Sequence, residues 1–274
     1  MHDLRRIAEE AARAGGAVLA AQAGNVTGIR TKSSATDMVT AADIASGVAI
    51  VRAIATADAS ARFVVEEPEV YELAGVTCGE LDDSEVWVID PLDGTTSFIH
   101  AYPCYSVSIA CLRDGRPVAG AVYNVPTGEM ASASAGDGAF LDDMRLICEG
   151  ATEMSHALIT TGFPYDRGAP LDRQLRIFAE VLRPAHDIRR DGSAAIDLCN
   201  VAIGRTDGFW ETALKPWDMA AGVLIAEESG VIVTDLNGAP WTTSTCDVLA
   251  ANAALHPTLL ELISRAEAQS LPHR

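Results

Sequence analysis

The stretch Trp87-Val88-Ile89-Asp90-Pro91-Leu92-Asp93-Gly94-Thr95-Thr96-Ser97-Phe98 constrains this chain more than any other. Its first residues are apolar and β-prone, so they read as a strand. The strand runs out into a tight polar turn that can open a helix. Pro91 lacks an N–H and has a fixed φ, which stiffens the turn. Gly94 allows a backbone conformation that a Cβ would penalise. Backbone N–H groups at a helix start, here followed by Thr95, Thr96 and Ser97, attract an anion. Asp90 and Asp93 stand beside that seat and would repel a phosphate unless cations lie between them. The stretch therefore points to a metal-bridged phosphate site, against the plainer reading of an Asp-rich turn.

Size and charge narrow the remaining choices. A chain of 274 residues buries a substantial core, as one large domain or two joined lobes. With 20 Lys+Arg against 38 Asp+Glu, the net charge of −18 disfavours general binding to nucleic acid or an anionic membrane. An anionic substrate remains compatible, because bound divalent cations reverse the sign locally. The six cysteines show no CxxC pair and no zinc spacing, and they read as free, buried thiols of a reducing compartment. The first 24 residues are interrupted by charges and are no signal peptide, and no later run is long enough to span a bilayer. A cytoplasmic location is the expectation.

Hydrophobic periodicity predicts an amphipathic helix over residues 3–23, with Gly24 as its stop. Arg30–Asp37 is polar, either a solvated loop or a flap that brings Lys32 and Asp37 over a site. Thr40 caps a second helix through Ala57, with Asp43 in its first turn. Phe63-Val64-Val65 is a short strand delivering Glu66 and Glu67, and Pro68–Asp83 reads as an irregular acidic excursion. Strands are expected at Tyr105–Leu112 and Pro117–Asn124, joined through Asp114-Gly115 as a hairpin. Gly128–Ser134 and Gly138–Leu141 extend that sheet. From Ala151 the pattern becomes strand Ala157–Thr161, helix Leu171–Leu182, strand Ile188–Arg190, helix Ser193–Ile203 and strand Gly208–Glu211. A small-residue-rich helix over Met219–Ser229, strands at Val231–Thr234 and Val248–Ala251, and a helix over Leu255–Ala268 complete it. The mix predicts an α/β (α+β) fold of alternating helix and sheet layers. Two sub-lobes, 1–150 and 151–274, share one domain.

Two further acids matter. Glu66 sits at the end of an apolar strand, where open α/β sheets gather their chemistry. Asp218 opens an apolar helix in Lys215-Pro216-Trp217-Asp218-Met219-Ala220-Ala221-Gly222. Taken singly, Glu66 reads as a surface acid and Asp218 as an N-cap. With Asp90 and Asp93 they form a set of four hard oxygen donors suited to Mg²⁺. The six histidines are scattered and none is assigned a catalytic role.

The chain resembles the inositol monophosphatase family, the Mg²⁺-dependent, Li⁺-sensitive sugar phosphatases. The resemblance lies in Lys32-Ser33-Ser34…Asp37…Thr40-Ala41-Ala42-Asp43, in Glu66-Glu67 with Asp90–Phe98, and in Trp217–Gly222 with Glu227…Ser229-Gly230. Gly192-Ser193-Ala194-Ala195 and Phe209-Trp210-Glu211 add to it. It implies the fructose-1,6-bisphosphatase-like αβαβα layering. It implies a first Mg²⁺ held by Glu66, Asp90 and the Leu92 carbonyl, and a second held by Asp90, Asp93 and Asp218. Glu66 is implied for a third, weaker ion through water. Thr95 and Asp43 are the implied pair that orients and deprotonates the attacking water, with Glu66 the third catalytic residue. Gly94 and Thr95 would hold the phosphate, and Asp93, Ala194, Glu211 and Asp218 would meet the substrate's hydroxyls. The implied activity is hydrolysis of myo-inositol 1-phosphate by a homodimer. Histidinol phosphate, fructose 1,6-bisphosphate, adenosine 3′,5′-bisphosphate and NADP remain alternatives, as does a regulatory binding protein without turnover. Two positions depart from the family pattern. Val65 replaces a common Gly, which would shift Glu66 and weaken the third ion. Ala45-Ser46 replaces a frequent Ala-Glu pair and reads as a surface change.

Overall fold

The computed structural model describes residues 3–32 and 37–268. In chain order come α1 (Leu4–Gln22), β1 (Arg30–Thr31), β2 (Met38–Val39), α2 (Ala41–Ala57), β3 (Arg62–Val65), α3 (Glu69–Ala74), β4 (Thr77–Cys78) and β5 (Val86–Asp93). Then follow α4 (Thr95–Ile99), β6 (Ser106–Arg113), β7 (Arg116–Asn124), β8 (Glu129–Ser134), β9 (Gly138–Leu141) and β10 (Met144–Arg145). The second half contains β11 (Leu158–Thr161), α5 (Ala169–Leu182), β12 (Asp187–Arg189), α6 (Ala194–Ile203), β13 (Gly208–Glu211), α7 (Pro216–Ser229), β14 (Ile232–Thr234), β15 (Val248–Ala251) and α8 (His256–Ala268).

Two large sheets organise these elements. The first has the order β10-β9-β8-β7-β6-β5-β3-β4, and the second β12-β11-β13-β15-β14. In the first, β3 runs parallel to β4 and β5, and the other pairs are antiparallel. In the second, β11 runs parallel to β12 and β13. Each sheet is buried on both faces, and its side chains divide with period two. Trp87 and Ile89 of β5 pack with α1 and α2, whereas Val86 and Val88 pack with α6 and α7. On β13, Phe209 joins the α6–α7 layer and Trp210 joins α5 and α8. The layers therefore alternate helix, sheet, helix, sheet, helix, as the sequence predicts.

The middle layer explains the small residues of α7. A helix pressed between two sheets has little polar face to offer. Its Met219–Ala226 run is buried throughout. A Cβ on Gly222 would lie 2.8 Å from the Leu198 side chain, so glycine permits the close crossing with α6.

Several sequence expectations change. Pro68–Asp83 is not wholly irregular: α3 buries Val70, and Thr77–Cys78 pairs with Arg62–Phe63. The Tyr71 hydroxyl accepts from the Val65 N–H at 2.8 Å, fastening this segment to β3 in spite of its acidic composition. The Asp90–Asp93 stretch is a bulge within β5 rather than a turn after it, with Asp90 opposite Ser108 and Asp93 opposite Ser106. Such a bulge re-aims side chains beside a site. Helix α7 starts at Pro216, earlier than expected, because proline suits a first helical turn. Asp218 is therefore inside that turn rather than its N-cap. Cys78 and Cys246 are exposed, so burial does not describe every thiol.

Ser46 is also not a surface residue. It is fully buried, and its hydroxyl donates to the Pro91 carbonyl at 2.9 Å. A Cβ on Gly15 would lie 2.8 Å from the Ser46 Oγ, so α1 packs closely against this side chain. Ser46 thus links α2 to the bulge. Replacing it with Ala leaves a buried carbonyl unpaired, and the expected loss is about 1–2 kcal/mol, read as a lower urea midpoint at unchanged m-value.

Candidate metal-assisted phosphate site

The ends of parallel strands converge on one cavity. Glu66 follows β3, Asp90 and Asp93 close β5, Gly162 follows β11, Arg190 follows β12 and Glu211 ends β13. Crevices outside the carboxyl ends of parallel strands are where open α/β sheets place their ligands. The cavity holds about 260 Å³ and is lined by Glu66, Asp90, Leu92, Asp93, Gly94, Thr95, Ala194, Glu211 and Asp218. Every residue expected at the site lines this cavity except Asp43, which lies directly behind it. Lys32 and Asp37 line it as well, as the flap reading expects. The rest of that flap, residues 33–36, lies outside the described residues. Among the described lining residues there is no histidine.

Local structure aims each group. Thr40 caps α2, and the Asp43 Oδ2 accepts from the Thr40 N–H at 2.9 Å and from its hydroxyl at 2.5 Å. This leaves Asp43 Oδ1 facing Thr95 Oγ1 at 3.1 Å. The same hydroxyl lies 3.1 Å from the Leu92 carbonyl. Gly94 precedes α4 with φ 94°, and a Cβ there would fall 2.8 Å from the Cys104 carbonyl. Only glycine fits both constraints. Asp90 Oδ1 accepts from the Leu92 N–H at 2.9 Å, which braces the bulge. Asp93 Oδ2 accepts from the Ser193 hydroxyl at 2.6 Å and the Ala195 N–H at 2.8 Å, at the start of α6. Asp218 Oδ2 accepts from the Lys215 N–H at 2.7 Å. Lys32 Nζ donates to Glu66 Oε1 at 2.7 Å and also pairs with Glu67.

So many carboxylates in one enclosed place raise one another's proton affinity. Asp90 titrates well above the usual carboxylate range, first through burial and then through the charges of Glu66, Asp93 and Asp218. Burial likewise lifts Asp218 well above that range, with Asp93 and Glu66 adding to it. Asp93 is pushed up to about 6 by burial, although its bonds to Ser193 and Ala195 hold it back. Glu211 is pushed up to about 8 by burial and the Asp93 charge, with Arg190 opposing. Burial raises Asp43 too, against its bonds to Thr40 and Thr95. Burial works against the charge of Lys32, but Glu66 and Glu67 outweigh it and raise this ammonium.

The donor set fits a hard divalent cation: carboxylates, one backbone carbonyl, and no His or Cys ligand. Among the described residues, no three or more His, Cys, Asp or Glu side chains are gathered closely enough to hold an ion. Glu66 is turned to Lys32, Asp93 to α6 and Asp218 to the Lys215 N–H. The sequence reading did not single out Phe163, Pro164, Tyr165 or Arg190, which also line the cavity. Their signal was their place just after strands, which the same rule of strand ends would have flagged.

Glu211 gives a pH test of this electrostatic picture. The folded protein holds its proton up to about pH 8, whereas an unfolded carboxyl releases it near ~4.3. The resulting stability is fully present below the unfolded value and disappears as pH rises through about 8. Thermal unfolding in EDTA should therefore show Glu211→Gln losing less stability than the parent between pH 5 and 9. Parallel curves for the two proteins would contradict it.

Comparison with known proteins agrees with this architecture. The model of the inositol monophosphatase family matches residues 1–268. Among similar proteins, an inositol-1-monophosphatase of Synechocystis is 38% identical over 258 residues, covering 94% of this chain and 88% of that protein. A putative Nus factor SuhB of Neisseria meningitidis is 38% identical over 265 residues, covering 96% and 99%. The structure of an inositol monophosphatase from Anabaena superposes with a TM-score of 0.81 at 34% identity, covering 96% of this chain and 95% of that one. The chain belongs to the inositol monophosphatase family.

Proposed function

We propose that this protein hydrolyses small phosphate monoesters with Mg²⁺, with myo-inositol 1-phosphate as the leading substrate. The observation that carries the reading is the convergence of Glu66, Asp90, Asp93 and Asp218 on one cavity beside the Thr95–Asp43 hydrogen bond. Glu66, Asp90 and the Leu92 carbonyl would hold one ion, and Asp90, Asp93 and Asp218 another, with Glu66 available to a third through water. Bound there, the cations would neutralise the phosphate and make a water more acidic.

The protein's own groups complete the chemistry. With Asp43 ionised, Thr95 donates its hydroxyl proton to Asp43 Oδ1, so the oxygen's lone pairs are free to accept from a water. As that water's oxygen bonds to phosphorus, the P–O bond to the alcohol breaks, the water's proton passes to Thr95 and the Thr95 proton to Asp43, and the departing alkoxide takes a proton from solvent. The raised affinity of buried Asp43 for a proton favours this transfer. The Gly94 and Thr95 N–H groups, at the start of α4, are suited to the phosphate oxygens. Ala194 and Glu211, with Asp93 and Asp218, would meet the hydroxyls of the leaving alcohol. A homodimer in the cytoplasm is the accompanying proposal. No described helix is long and apolar enough to cross a membrane.

A second reading is a regulatory binding protein without turnover, favoured by the Nus factor name of the Neisseria relative. The full acidic set and the Thr95–Asp43 pair support turnover instead. Phosphate release with Mg²⁺ and with EDTA decides between them, on inositol 1-phosphate, histidinol phosphate, fructose 1,6-bisphosphate, adenosine 3′,5′-bisphosphate and NADP. The expected result is Mg²⁺-dependent release, greatest on inositol 1-phosphate. Preference for another ester moves the substrate, and release from none of them favours the regulatory reading. Asp90→Asn should lower kcat/KM by roughly 10³-fold or more with the far-UV circular dichroism retained. Glu211→Ala should change the order of substrates more than the Mg²⁺ requirement.

A further inference from the structure

Behind Glu211 lies a buried polar network that takes no direct part in holding cations or phosphate. Thr161 ends β11 directly opposite Trp210 of β13, so Gly162 and Glu211 leave the sheet side by side. They are very close. A Cβ on Gly162 would fall 2.0 Å from Glu211 Oε1, so the carboxyl group rests on the bare Gly162 backbone. Gln174, one turn into α5 and fully buried, reaches this point from the opposite side. Its Nε2 donates to Thr161 Oγ1 at 2.7 Å and to the Gly162 carbonyl at 2.6 Å. Thr161 Oγ1 donates in turn to the Trp210 carbonyl at 2.7 Å.

The orientation of this amide is forced. The Gly162 carbonyl can only accept, so the nitrogen must face it. The two N–H bonds of one amide hold both residues at once, while its buried Oε1 has no hydrogen-bond partner among the described residues. One acceptor of this buried amide is left unmet, but its two donors satisfy the Thr161 hydroxyl and the Gly162 carbonyl, which an apolar side chain would leave without that donor. One helical turn later, Phe178 packs its ring against Phe163 at 5.9 Å between centroids. Gln174 and Phe178 therefore lie on one face of α5. Together they anchor the segment 162–165, which lines the cavity along with Glu211.

We infer that Gln174 is a positioning residue: through Thr161 and Gly162 it sets the slot between Glu211 and the segment 162–165, and so selects the alcohol of the substrate. The inference rests on the cavity's being a phosphomonoesterase site. Gln174 touches neither the metal-binding carboxylates nor Thr95, so its loss should spare the chemical step for esters that make no use of the slot. An aryl ester such as p-nitrophenyl phosphate has no ring hydroxyls for Glu211 to read.

The test compares wild type, Gln174→Met and Thr161→Val on inositol 1-phosphate and p-nitrophenyl phosphate at saturating Mg²⁺. Methionine keeps the length and loses both donors; valine keeps the branch and loses the link to Trp210. Both variants should lose about tenfold in kcat/KM on inositol 1-phosphate, chiefly through KM, and less than about twofold on p-nitrophenyl phosphate. Their half-saturating Mg²⁺ concentration should not move. An equal loss on both esters, or no loss on either, overturns the inference while leaving the phosphatase reading intact. If wild type prefers another polyol ester, the ratio is read on that ester. If wild type hydrolyses no ester, the phosphatase reading fails, and a crystal structure of Gln174→Met judges the positioning. Displacement of Glu211 and Gly162 relative to Asp218 would support it, and an unmoved pair would overturn it.

Discussion

The contact on which the site most depends is that between Asp93 and the start of α6. Its carboxylate accepts from Ser193 and Ala195, about a hundred residues further along the chain. Ser193 also approaches Ser106 on β6 at 3.2 Å. Through these bonds the bulged end of the eight-stranded sheet is registered against the middle helical layer. The five-stranded sheet, packed on the other side of that layer, is registered with it. Glu66 and Asp90 from one sheet can thus face Glu211 from the other across a single cavity. Without that registration the acids would remain separate features of separate strand ends.

That arrangement has an electrostatic consequence. Desolvating several carboxylates together is unfavourable unless positive charge offsets them. The protein answers in part with Lys32 and Arg190 and with backbone N–H donors, yet Asp90 and Asp218 still titrate far above an ordinary carboxyl group. On the proposed reading, divalent cations would offset this negative charge, and phosphate would be held through them. The acidic chain as a whole, at −18, does not prevent an anionic substrate from being held, because the sign of the charge is decided within the cavity.

The scaffold around the site is specified by small residues and buried hydroxyls. Gly94 lets the chain pass Cys104, Gly222 lets α7 pass α6, and Ser46 holds Pro91 from behind. Thr40 holds Asp43 by direct hydrogen bonds, whereas Gln174 and Thr161 act on Glu211 only through the backbone of Gly162 and Trp210 beside it.

Much of this was legible in the chain itself. Apolar runs marked the strands, the Thr40 cap marked a helix start, and the Asp-Pro-Leu-Asp-Gly-Thr run marked a candidate site, because each signal lies within a few neighbouring residues. The alternating helix and sheet layers were legible in this way, with the αβαβα order implied by the family resemblance, and the acids Glu66, Asp90, Asp93 and Asp218 do line one cavity. Tertiary structure alone decided what depends on distant partners. The acidic 68–83 segment gained a helix and a strand because Tyr71 and Val70 found β3 and the core. Ser46, which reads as a surface residue, became buried because α2 leans on the bulge. Gly162 acquired its importance from the parallel register of β11 with β13. Local sequence carries propensity and pattern, whereas the burial of a hydroxyl or the width of a slot is set by segments that meet only after folding.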